Sequence, residues 1–195
     1  MKNDKNQTKA LIIEKALLLF STKGYTETSV EEIANECNLT KGALYFYFKN
    51  KEEIAKAVLD ESLQVSKNLI FDVQNIKNPQ KRIHTLIKRA FKFILDNEHY
   101  WRSLNNLVYQ RELLPLTRET FVEYQTLLLK QLSSYFKDLN LKSPEFEAKM
   151  LITLFDGIQL HYYINKDKKF FNKAQKYILK KYTPEFLEFY KTMEI

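Results

Sequence analysis

Four consecutive aromatic residues, Tyr45, Phe46, Tyr47 and Phe48, offer the first hint of chemistry in this 195-residue chain. A helix with one buried side hides only about half of four neighbours. Leu44 and Phe48 lie four apart, share a face and are assigned to the core. Tyr45 and Tyr47 are then expected to point outward or sideways, with Phe46 near the boundary. A tyrosine presents an apolar ring to a thymine methyl and a hydroxyl to a phosphate oxygen. Gly42 and Ala43 permit close approach, and the N–H groups at a helix start attract phosphate. Lys41, Lys49 and Lys51 add positive charge, with no acid between residues 40 and 51. This pattern reads as an electrostatic and aromatic footprint for double-stranded DNA. The plainer alternative is a contact with a partner helix, or tyrosines left partly exposed.

Catalytic and metal chemistry find no comparable support. His84, His99 and His161 are too widely spaced for a helical metal-ligand pair, and no pair of cysteines exists. Cys37, the single cysteine, falls on an apolar stripe and reads as a small buried hydrophobe rather than a nucleophile. No nucleophile-elbow pattern appears. Three glycines with no Gly-rich run exclude a P-loop and a dinucleotide fingerprint. The sequence calls for no enzyme activity, no metal and no cofactor.

At about 150 residues per domain, the length fits one domain, or one small plus one medium. A single cysteine precludes an internal disulfide, which fits a reducing compartment. The longest uncharged apolar stretches, such as MLITLF, fall far short of the ~18 residues of a membrane span, and MKNDKNQTKA lacks a signal-peptide core. A soluble cytoplasmic protein with no membrane association is expected. Net charge is +7, but residues 1–62 hold 9 basic and 10 acidic side chains while residues 63–195 hold 22 and 14. Total charge therefore does not locate a DNA site; local pattern does.

The elements that must carry these residues are helical throughout. No sustained alternation of period two appears, whereas Ile83, Ile87, Phe91 and Ile94 recur at helical spacing. Pro79, Pro115, Pro144 and Pro184 each mark a change of pattern, and Ser143-Pro144 and Thr183-Pro184 read as an N-cap followed by the first helical position. Helices are predicted near 8–23, 29–36, 40–48, 51–76, 80–97, 99–110, 115–138, 144–165, 171–181 and 184–193. Gly24 ends the first in a left-handed C-cap. Ser29 and Glu32 form a capping box, and Val30, Ile33, Ala34 and Cys37 make one apolar stripe. Asn38 supplies a left-handed turn, Thr40 caps the next helix, and Leu39 and Leu44 staple its entry. Two short helices joined this way make a helix-turn-helix.

The segment GYTETSVEEIANECNLTKGALYFYFKNKEEI resembles the N-terminal domain of the tetracycline-repressor (TetR) family of bacterial regulators. The likeness rests on Gly24-Tyr25, the Thr/Ser-rich start of the second helix, Ile33-Ala34, Lys41-Gly42, Leu44-Tyr45, Phe48 and Asn50-Lys51-Glu52, and covers roughly residues 8–58. It implies an all-α fold with a three-helix DNA-binding domain at 1–50 and a helical ligand-binding and dimerisation domain at 51–195. By the same resemblance Thr40, Lys41, Gly42, Ala43, Tyr45 and Tyr47 are recognition-helix contacts, and Ser29, Val30 and Lys51 meet phosphate. Val30 lacks a hydroxyl, so only its backbone N–H is available there.

Residues 80–165 are unusually aromatic. Stripes such as Phe91/Ile94 and Leu128/Leu132 read as ordinary core. Trp101, Tyr109, Tyr124 and Phe155 are candidate pocket residues, favouring a small apolar or aromatic effector. Asp156 and His161, five apart on a strongly apolar helix, either bond across a dimer or orient a ligand. The resemblance implies that helix 144–165 and its successor form a four-helix interface of a homodimer. A palindrome also demands two recognition helices about 34 Å apart. KDKKFFNKAQKYILKK, at 166–181, reads as a solvated face, with an anion or DNA-backbone contact as the lesser reading. The function expected is a ligand-responsive DNA-binding repressor. The alternatives are a nucleoid-associated or division-control protein working through a protein partner, and a small-molecule carrier without DNA binding.

Overall fold

Prolines and caps partition the chain into helices. A computed structural model describes residues 2–108, 110 and 113–192, and among them no strand occurs. The helices are α1 (Lys2–Thr22), α2 (Val30–Glu36), α3 (Lys41–Tyr45), α4 (Lys51–Phe71), α5 (Pro79–Asp96), α6 (Glu98–Val108), α7 (Leu114–Lys137), α8 (Pro144–Asn165), α9 (Lys168–Lys180) and α10 (Pro184–Thr192). The all-α expectation is met, and each predicted helix has its counterpart. Boundaries shift for local reasons. α3 stops at Tyr45 because Phe46 and Tyr47 donate to the carbonyls of Ala43 and Leu44, a tighter three-residue return than an α-helix makes. α9 starts before the predicted residue 171 because Asp167 Oδ1 accepts the Phe170 N–H at 2.9 Å. Ser143 occupies the N-cap of α8 with Pro144 behind it, but its side chain makes no capping bond.

The chain divides into two compact units, Met1–Ser66 with Asn97–Tyr124, and Lys67–Asp96 with Gln125–Ile195. The first builds its core from helical spacing. Ile12, Ala16 and Phe20 of α1, Ile33 and Ala34 of α2, Leu44 of α3, and Ile54, Ala55, Val58 and Leu59 of α4 are all fully buried. Leu104 and Leu107 of α6 join the same cluster. The turns are set by backbone geometry. Gly24 sits at φ +87° and Asn38 at φ +54°, where few side chains go without strain.

The second unit packs Ile83, Ile87, Phe91 and Ile94 of α5 inward, with Phe136 of α7, Leu151 and Ile158 of α8, and Phe171 and Ile178 of α9. The Phe91 ring lies 5.0 Å from Phe155 and 4.8 Å from Phe171, and Phe171 lies 4.6 Å from Tyr162. A buried polar knot fastens this unit. The Glu147 carboxylate accepts from Lys181 Nζ at 2.6 Å and from the Tyr182 hydroxyl at 2.7 Å. Gln80 Nε2 donates to the Tyr182 carbonyl at 2.9 Å. A charge 3 % exposed is tolerable only with such partners.

Candidate nucleic-acid interface

The helix-turn-helix starts from its caps. Ser29 Oγ accepts the Glu32 N–H at 3.1 Å while Glu32 Oε2 accepts the Ser29 N–H at 2.8 Å, the reciprocal pairing the sequence predicted. Lys23 Nζ reaches Glu32 Oε1 at 2.6 Å. The lysine, together with the Ser29 bonds, holds the Glu32 carboxyl down at about 2. Thr40 Oγ1 accepts the Ala43 N–H at 3.1 Å and starts α3. A related pair opens α4: Asn50 Oδ1 accepts the Glu53 N–H at 2.8 Å, and Glu53 Oε2 accepts the N–H of Lys49, one residue before the cap, at 2.9 Å. The Asn-x-x-Glu spacing of Asn50 and Glu53 is its signature in the sequence.

These caps aim the aromatic run. Leu44 and Phe48 are buried, as expected, so the face between them turns outward. Tyr45 is 43 % exposed and Phe46 69 % exposed, more than the boundary position expected for Phe46. Tyr47 is half-buried and packs against the core cluster, with its ring edge-on to Phe46 at 5.3 Å and 90°. Lys5 Nζ stands 4.5 Å from the Phe46 ring centre and Lys9 Nζ 5.2 Å from that of Phe48, so α1 delivers two further cations to this surface. Lys41 and Lys49 are exposed. At Gly42 an added Cβ would meet only Thr40 Oγ1, at 4.0 Å, so the fold itself does not require glycine there.

Lys51 is placed more tightly. Its Nζ donates to the Thr26 carbonyl at 3.3 Å and lies 4.2 Å from the centre of the buried Tyr25 ring. Ser29 is exposed at the N-cap of α2, and Val30 is half-buried against the core. Thr40, Lys41, Gly42, Ala43 and Tyr45 thus gather on one short element, with Tyr47 at its end and Ser29, Val30 and Lys51 on neighbouring helix starts. Cys37 is buried and its thiol is pushed up by desolvation.

The candidate effector residues fall in both units. Trp101 and Tyr124 pack against the first core, with Tyr124 6.4 Å from Phe121. Phe155 and His161 belong to the second unit. Tyr109 lies outside the described residues. His161 is exposed, sits 4.4 Å from the Phe170 ring and has Asn165 Nδ2 3.3 Å from its Nδ1. Asp156 keeps solvent on one side, yet the protein around its carboxyl desolvates it and pushes it up to about 6. Among the described residues, no group of three His, Cys, Asp or Glu is arranged to hold a metal ion. No described helix is long and apolar enough to cross a membrane.

Comparison with known proteins places this geometry in a class. The family described as bacterial regulatory proteins, tetR family, matches residues 12–58. The chain is 30 % identical over 148 residues to the Staphylococcus aureus (strain Newman) biofilm operon icaADBC HTH-type negative transcriptional regulator IcaR, covering 74 % of this chain and 77 % of that one. It is 35 % identical over 109 residues to the Bacillus subtilis uncharacterized HTH-type transcriptional regulator YuxN, an alignment spanning 56 % of this chain but only 36 % of that protein. A solved TetR transcription regulator from Haloarcula marismortui shares the fold, with a TM-score of 0.79 over 91 % of this chain and 96 % of that one, at 17 % identity. The chain belongs to the TetR family of transcriptional regulators.

Proposed function

We propose that this protein is a cytoplasmic homodimeric repressor that binds a palindromic operator and is released by a small apolar or aromatic molecule. The observation that carries the reading is the outward face of Tyr45 and Phe46, built on a recognition element anchored by Leu44 and Phe48. Lys5 of α1 stands over the Phe46 ring, Lys9 over that of Phe48, and Lys41 and Lys49 are exposed on either side of the run in sequence. Thr40, Lys41, Gly42, Ala43, Tyr45 and Tyr47 read the major groove, while Ser29, the Val30 N–H and Lys51 hold phosphate. Residues 1–50 act as the DNA-binding part and residues 51–195 as the effector and dimer part.

Support for the dimer comes from α8. Phe146, Met150, Leu160 and Ile164 are 50 %, 38 %, 52 % and 66 % exposed. With Thr153 and Gly157 they recur every three or four residues along one stripe, the pattern of a helix seeking a partner helix. Trp101, Tyr109, Tyr124, Phe155 and His161 are proposed to meet the effector. It acts by population shift, binding a conformer with mis-spaced recognition helices better than the operator-competent one.

The test is a gel-shift titration at fixed salt against DNA immediately upstream of the protein's own gene, with Tyr45→Ala beside the wild type. Tight binding by the wild type alone supports sequence reading through α3. Equal binding by both removes Tyr45 from the interface.

A further inference from the structure

We propose that a polar stripe on α6 positions the Lys51 ammonium and thereby sets operator affinity from outside the helix-turn-helix. The proposal rests on the reading of Lys51 as a phosphate contact. His99, Ser103 and Asn106 follow one another at intervals of four and three, which puts them on one face of α6, and Gln110 adds a further polar side chain just past the helix end. That face meets α1 and the turn that follows α1.

Each bond is specific. Asn106 Nδ2 donates to the Phe20 carbonyl at 2.9 Å. The Thr26 hydroxyl donates to Gln110 Oε1 at 3.4 Å, a long bond and the weaker of the two. His99 Nδ1 lies 3.1 Å from Ser21 Oγ, and Ser21 gives its own proton to the Leu18 carbonyl at 2.8 Å, so the histidine is the donor of that pair. Two side chains four residues apart therefore hold Phe20 and Thr26, the two ends of the segment on which Lys51 rests. Within that segment the Tyr25 ring packs on Phe20 at 5.5 Å and carries the Lys51 ammonium 4.2 Å above it. The Thr26 backbone accepts from the same ammonium at 3.3 Å.

The choice of polar groups matters. Apolar packing is non-directional and tolerates sliding, whereas a hydrogen bond weakens steeply once distance or angle departs from its window. A small displacement of α6 along α1 is therefore read at the Phe20–Thr26 turn as lost bonds, and at Lys51 as lost placement. Ser103 adds a second sign. It is fully buried on the same stripe, and its Oγ has no hydrogen-bond partner among the described residues. The polar stripe is thus incompletely satisfied at Ser103.

The test uses the full chain and a duplex recovered by in vitro selection from random DNA. Operator affinity is measured across a salt series for the wild type, Asn106→Leu, Gln110→Met, Lys51→Ala and the doubles with Lys51→Ala, with thermal melts alongside. Leu104→Ala is the control, since it weakens α6 packing without touching the stripe. The expected result is that Asn106→Leu and Gln110→Met each reduce the salt slope toward the Lys51→Ala value, about one unit below wild type. Each should change affinity less than about twofold in the Lys51→Ala background, as coupled sites do. Leu104→Ala should lower the melting temperature and keep the wild-type slope. If the stripe variants behave like Leu104→Ala, with unchanged slope and full additivity, the stripe is structural only and the proposal is overturned. If Lys51→Ala leaves the slope unchanged while Tyr45→Ala abolishes binding, this proposal falls and the operator reading stands. If the wild type selects no duplex, both fall together.

Discussion

Two surfaces of this protein leave large apolar side chains in water, and the chemistry around each differs. On α3, Tyr45 and Phe46 are exposed on an element five residues long. Lys5 stands over the Phe46 ring, and Lys41 and Lys49 are exposed nearby. On α8, Phe146, Met150, Leu160 and Ile164 are exposed along a helix of 22 residues. Aromatic rings rimmed by exposed lysines suit a polyanion with stacked, methyl-bearing bases. A longer stripe of mixed aliphatic and aromatic residues suits an identical stripe on a second copy. Exposure alone would have joined these two surfaces; the charge beside each and the length of each element separate them.

The comparison breaks most decisively if the α8 stripe is charged. Leu160→Asp with Ile164→Asp should leave a folded monomer by sedimentation at micromolar concentration. Operator affinity should fall about 10²- to 10⁴-fold as the second half-site contact is lost. A variant that still sediments as a dimer would detach α8 from self-association. Tyr45→Ala should act on the other surface alone. About 1–3 kcal/mol of base discrimination is at stake there, or roughly five- to 150-fold in operator affinity, with the oligomeric state untouched. Lys51→Ala is smaller again and different in kind: binding weakens similarly on specific and random duplexes, and the salt slope falls by about one unit. An effect confined to the specific duplex would make Lys51 a base reader instead.

Much of the first surface was legible because short-range rules govern it. Gly24 and Asn38 adopt the left-handed geometry their types allow, Ser29 and Glu32 pair as a capping box must, and Leu44 with Phe48 goes inward by spacing. The ring of Tyr47 escaped prediction because a tyrosine at a helix end can lie either way, and here it packs on the core through tertiary contacts. Phe46 is more exposed than spacing implied because the helix tightens after Tyr45, rotating the next residue outward. The α6 stripe was present as a spacing of polar residues, but its partners lie 78 to 86 positions away and no local rule names them. Distant partners of this sort are supplied by the fold rather than by periodicity. The effector candidates illustrate the same limit, since aromatic content identifies large rings without saying which of two cores receives them.

The two regions also differ in how protons act on them, and this gives the smallest and most discriminating effect. Glu32, on α2 of the helix-turn-helix, has its carboxyl lowered from 4.5 to about 2, first by the Lys23 bond. Its contribution to stability is present above pH 4.5 and is lost as pH falls toward 2. Asp156 on α8 runs the other way. Desolvation raises it from 3.8 to about 6, so the folded protein binds a proton there more readily than the unfolded chain does. Between those values stability falls as pH rises, and above pH 6 the whole cost of the charged form is carried. Asp156→Asn imitates the protonated state. It should melt at a higher temperature than the wild type at pH 7.5, by no more than a few degrees because the side chain retains solvent on one side. The gap should hold down to about pH 6, shrink between there and 3.8, and all but vanish at pH 3.5, below the ordinary carboxylate value. A gap that holds constant across this range would assign the gain to packing rather than charge. A gap of opposite sign would mean that Asp156 has a cationic partner on α8, making that surface as electrostatic as the one around Tyr45.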